Sequence, residues 1–172
     1  MLPVASYPRA AAALCLAALA LSACKRASEA EMRDVLSGWA PIGETLSFAA
    51  QQGCAAGLFM LVDGRIASKM RVAGGAREAA TILRNQGAVA IDDVRLSPDA
   101  AIRALTDADR GAGMAMRMAG LEARACMGAE VQRAFAAALV APRAVLMVGR
   151  DQRILALMDI DAGLIVAAMG AK

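Results

Sequence analysis

Histidine occurs nowhere in the 172 residues, and that one absence removes much of side-chain chemistry. No Ser-His-Asp or Cys-His nucleophile can be assembled, and no His-ligated zinc, copper or haem. Carboxylates, thioethers and thiols remain. Asp92-Asp93 sets two acids side by side, where acid–base or metal work is conceivable. Adjacent strand residues point to opposite faces, however, so a turn or a solvated edge is the expectation. Met114 and Met118 carry thioethers that suit Cu(I), yet copper carriers cluster Met with His or Cys, and this spacing reads as a helix core. No metal site is expected and no cofactor is implied.

The four cysteines divide by position. Cys15 lies inside an unbroken apolar run, residues 10–21, which follows the single charge of Arg9. The run is about a dozen residues, short of the roughly 20 that a spanning helix needs, and it ends in small residues as a secretory signal peptide does. Its last residues and the cysteine behind them, Leu21-Ser22-Ala23-Cys24, resemble the lipobox of bacterial lipoproteins position by position. The resemblance implies cleavage before Cys24, a diacylglyceryl thioether on its sulfur and acylation of the new amino group. Three acyl chains at about 0.8 kcal/mol per buried CH₂ far exceed the marginal hold of one, so the implied attachment is permanent. Lys25 stands where an Asp would signal inner-membrane retention in enterobacteria. Its presence favours the outer membrane over the inner, on the periplasmic side.

Residues 1–23 are thus expected to be the signal peptide, 24–27 a short lipidated tether, and 28–172 a single domain large enough to bury a core without a staple. Cys54 and Cys126 remain, and two leftover cysteines in an oxidising compartment are expected to pair. The alternative is two buried free thiols. Nineteen basic and sixteen acidic residues leave a net charge of +3, in alternating signs with no basic block. With aromatics nearly absent, the chain lacks the basic face and stacking platforms of nucleic-acid binding.

Along the domain, Ser28 and Glu31 form a capping box, followed by Met32, Val35, Leu36 and Trp39 at helical spacing. Residues 44–49 alternate as a half-buried strand, with Leu46 and Phe48 on one face. Residues 57–62 are apolar on both faces, which predicts a central strand. Asp63-Gly64 is a favoured two-residue turn, so residues 56–72 are expected to form a β-hairpin. Its outer face would carry Arg65, Lys69 and Arg71. That face could meet an anionic partner or lipid headgroups, although a solvated strand face is the plainer reading. A helix opens at Gly74-Gly75 and stops at Gly87, and residues 88–91 make a short strand. Backbone N–H groups at such a Gly-Gly start can hold an anion, but no phosphate-loop motif surrounds them.

Ser97-Pro98-Asp99 starts a helix ending near Asp109, with Ile102 and Leu105 inward. The next, from about Arg110, would turn Met114, Met118, Leu121 and Ala125 to the core and Arg117 and Arg124 elsewhere. A third, 129–140, buries Val131, Phe135 and Leu139. Strands at 144–148, 154–158 and 164–168 close the chain as a meander. Asp159-x-Asp161 has the spacing that opens a calcium loop, but Gly163 falls one place early and Gly170 stands where a bidentate Glu is required. Strands at both ends with helices between predict an α+β fold. Its mixed or antiparallel sheet would be covered by three or four helices.

The short tether and the lack of any catalytic constellation point to a non-enzymatic accessory or binding domain of the cell envelope. Its partners would be membrane lipid through Cys24 and another envelope protein. The alternative is a carrier or sensor of a small apolar ligand in a Met- and Leu-rich interior. An enzyme is the weakest reading. From residue 24 onward there is neither Ser-x-x-Lys nor Gly-x-Ser-x-Gly, which leaves only a carboxylate pair brought together by the fold.

Overall fold

The computed structural model describes residues 27–151 and 153–170; the leader, the lipobox and Cys24 lie outside the described residues. The domain is α+β. Helix α1 (Glu29–Ser37) leads into strands β1 (Ile42–Gln51) and β2 (Cys54–Leu61), then β3 (Val72–Ala73), α2 (Ala76–Gln86) and β4 (Ala88–Ile91). Helices α3 (Pro98–Ala108), α4 (Arg110–Ala123) and α5 (Ala129–Val140) follow, with a 3-10 turn (Arg124–Cys126) between the last two. Strands β5 (Ala144–Gly149), β6 (Ile154–Asp159) and β7 (Leu164–Met169) end the fold.

All seven strands join one sheet in the order β1-β2-β7-β6-β5-β4-β3. Neighbours run antiparallel except β3 and β4, which pair in parallel across the α2 crossover. The interior strands are apolar at nearly every position because both faces are covered. Cys54, Ala56, Leu58, Leu146, Val148, Leu155, Leu157, Val166 and Ala168 face helices α2 to α5. Phe59, Val145, Met147, Ile154, Met158, Ile165 and Met169 face α1 and the segment after β2. The expected helix layer is therefore there, and α1 makes a third layer on the opposite side.

Local chemistry explains the helix ends. Ser28 Oγ accepts from Glu31 N at 3.1 Å while Glu31 Oε2 accepts from Ser28 N at 2.9 Å, a complete capping box. Ser97 caps α3 with Pro98 in its first turn, and Gly87 ends α2 at φ 76°, where a side chain would be strained. Arg33 fastens α1 to the sheet, donating to Thr45 Oγ1 at 2.8 Å and to the Gly43 carbonyl at 2.9 Å.

Three expectations need correction. Residues 56–72 do not form a hairpin. Both edges of β2 are already taken, by β1 on one side and β7 on the other, so a following strand has no edge to pair with. Residues 62–71 instead run as a loop across the α1 face, burying Met70 and part of Ile66. Asp63 turns that loop locally by accepting from the Arg65 backbone and guanidinium. The hairpin is the one between β1 and β2, turned by Gln52 and Gly53, the latter at φ 87°.

Leu46 does not share the inward side of Phe48: it is 43% exposed. Thr45 faces Phe59 and Ser47 faces Leu58, so Leu46 is the extra residue of a bulge and is turned outward. In α4 the expected Met stripe also faces out, with Met114 43%, Met118 42% and Leu121 63% exposed. The buried stripe is Gly113, Met116, Ala119 and Ala123. Small residues let α4 lie close on its neighbours, and a Cβ on Gly113 would collide with the backbone of Thr106 in α3.

Candidate functional site

Cys54 opens β2 and Cys126 closes the 3-10 turn after α4, and their sulfurs stand 2.02 Å apart. The link ties the helix layer to the sheet across a sequence separation of 72, which on the chain-entropy account stabilises the fold by about 4 kcal/mol. Beside this link, helices α3, α4 and α5 diverge over the sheet and leave an open-sided cavity of about 780 Å³. That lies inside the range of about 300–1,000 Å³ typical of small-molecule sites.

Each helix contributes one stripe at helical spacing: Asp99, Ile102 and Arg103 from α3; Arg117, Gly120 and Leu121 from α4; Gln132, Arg133, Ala136 and Leu139 from α5. The floor is apolar, formed by Ile102, Met116 and Phe135 down to Leu155 of β6. Small residues keep it from filling. A Cβ on Gly120 would come no nearer than 3.6 Å to Leu155 Cδ2 and Phe135 Cζ, so a methyl group fits there in ordinary contact.

The rim is cationic. Arg103, Arg117, Arg124 and Arg133 stand around the opening against one carboxylate, Asp99. Asp99 is engaged by Arg103 one turn along α3, at 2.7 Å. Gln132 is held by donating its amide to the Met127 carbonyl at 3.0 Å. The arrangement can bind and orient a ligand. Among the described residues its lining brings together no second carboxylate and no nucleophile with a base.

The residues singled out in the sequence go elsewhere. Arg65, Lys69 and Arg71 lie in the 62–71 loop, not along one strand face, and Arg65 is clamped to Asp63 at 2.7 Å. That contact holds the Asp63 carboxyl below the usual range. Asp93 pairs with Arg95 in a turn at 2.9 Å, with the same effect on its carboxyl. At the Gly-Gly helix start, Gly74 N donates to Glu78 Oε2, so the chain's own acid occupies the anion position. Asp159 Oδ1 accepts from Ala162 N within the β6–β7 turn. Among the described residues no three His, Cys, Asp or Glu side chains converge as a metal site, and no helix is long and apolar enough to cross a membrane.

The rim arginines were not expected as a site. Arg117 and Arg124 are seven apart and share a helix face, which is visible in the sequence. Their convergence with Arg103 and Arg133 exists only once three helices pack. No family model, no curated protein and no solved structure matches the chain.

Proposed function

We propose that this chain is a non-enzymatic lipoprotein of the cell envelope that carries or senses a small apolar ligand. It would be anchored through acylated Cys24 on the periplasmic side, with the outer membrane favoured. The supporting observation is the cavity among α3, α4 and α5: apolar floor, polar rim, small-molecule size. The test is to purify the protein from its native membrane, denature it in organic solvent and identify the released small molecules by mass. Gly120→Leu and Ala136→Leu, which project into the cavity, are the controls. A near-stoichiometric species from wild type that both variants lose is the expected result. Identical released sets from all three proteins would overturn the reading.

An accessory domain docked on another envelope protein is the second reading, favoured by the exposed ridge Met114, Met118 and Leu121. Crosslinked capture from native membranes would return one dominant protein in near-equal amount. For the anchor, a Cys24→Ala chain is expected to lose acylation and leave the membrane fraction.

A further inference from the structure

Among the described residues, six arginines outside the cavity hold an acid: Arg65, Arg84, Arg95, Arg143, Arg150 and Arg153. Arg71, Arg77 and Arg110 hold none and do not line the cavity; what sets the cavity apart is that several arginines share one opening. Only Arg103 has a carboxylate there, and the guanidinium groups of Arg117, Arg124 and Arg133 make no hydrogen bond or ion pair with the described residues. Three unneutralised guanidinium groups around one opening repel each other and are left with their donors to water alone. A planar fork of N–H donors matches a carboxylate or phosphate better than any neutral group. Below them the lining changes to Phe135, Leu139 and Ile102, and it ends at Leu155 on the sheet, with the exposed Leu121 at the edge of the opening. Charge at the mouth and hydrocarbon at depth, on one axis, is the pattern of an anionic amphiphile.

We infer that the ligand is a single-chain anionic amphiphile. Its alkyl tail lies along the floor between α4 and α5, and its headgroup is held by Arg117, Arg124 and Arg133. This deepens the ligand reading above and rests on it. Met116 and Leu155 at the floor are almost fully buried, out of contact with a membrane surface touching the outer ridge. The single aromatic ring in the lining, Phe135, is too little for a stack of bases.

The test uses the full lipidated chain in phosphatidylcholine vesicles, photolabelled with a long-chain fatty acid carrying a diazirine in its tail. The methyl ester of that acid and a monoacyl phosphate with the same tail are run in parallel, and labelled peptides are mapped. Both anions are expected to label the peptides carrying Gly120 and Leu139 at least about tenfold more than the ester, and the stronger of the two names the head. Replacing Arg117, Arg124 and Arg133 together by Gln should erase that preference while ester labelling stays constant, which also reports an intact fold. Equal labelling by anions and ester would overturn the anionic head and leave the cavity reading standing. Labelling unchanged in Gly120→Leu, or confined to Met114 and Met118, would overturn both.

Discussion

The two faces of the sheet are built from the same kind of strand residue and put to different uses. On the α1 side Met32, Met70, Met147, Met158 and Met169 are all buried around Trp39 and Phe59. Methionine bends into irregular gaps, and the packing there leaves little space. A Cβ on Gly57 would come within 2.6 Å of the Phe59 ring, and one on Gly149 within 2.8 Å of Trp39 Cζ2. On the other side the strands offer Leu146, Leu155 and Val166 to four helices, three of which part far enough to leave a cavity. Both faces are hydrophobic, and the helix side is tight too where Gly113 meets Thr106. The packing relaxes locally at the cavity, and the contrast of Gly120 with Gly57 and Gly113 measures it.

The largest expected effect belongs to the link that holds the helical side down. Cys54→Ala with Cys126→Ala should lose up to about 4 kcal/mol in urea unfolding, and intact mass should rise by two hydrogens on reduction of the wild type. Free thiols at both positions in the native protein would remove this difference between the faces.

Next come the glycines. Gly57→Ala should cost about 1–3 kcal/mol through overpacking, and Gly113→Ala a similar amount because it meets the backbone of Thr106. Gly120→Ala should be neutral or stabilising by up to about 1 kcal/mol, since a helical glycine gains from a Cβ where space exists. Thermal unfolding of the three variants checks the ranking, and a costly Gly120→Ala would mean that the cavity floor is packed as tightly as the surroundings of Gly57 and Gly113.

The smallest effect is at the start of α4. Asp109 accepts from Ala112 N at 3.0 Å and from Arg84 at 2.8 Å. The backbone N–H first and the guanidinium second hold its carboxyl below the usual range. A depressed carboxylate contributes stability that is complete above its unfolded value of about 3.9 and is lost as pH falls below it. Asp109→Asn should therefore flatten the loss of stability from about pH 5 to pH 3 relative to wild type. Asp109→Ala should cost about 1 kcal/mol at neutral pH.

Local signals in the sequence located most elements. Ser28 with Glu31, Ser97 with Pro98, and Gly87 each mark a helix boundary through hydrogen bonds or backbone freedom that a few residues settle among themselves. The Cys54–Cys126 pairing was legible once the leader reading had set Cys15 and Cys24 aside and implied an oxidising compartment. What failed was whatever depended on neighbours distant in the chain. Asp63-Gly64 is a sound turn signal, but β7 already occupied the edge that the hairpin required. Met114 and Met118 have core spacing, but the sheet and α3 took the small-residue side of α4. The arginine rim was hidden for the same reason, being drawn from three helices and from no single motif.

The position of β7 also sets an order of events. It is the last strand of the fold in sequence, yet it sits in the sheet between β2 and β6. A chain emerging N-terminus first can close the β1–β2 hairpin early, but the two halves of the sheet stay apart until residues 164–169 arrive. Pairing Ala55 with Met169 closes a loop of more than a hundred residues, the kind of distant contact that makes folding slow. Removing the final strand would therefore split the domain down its middle, leaving two apolar edges exposed to other chains.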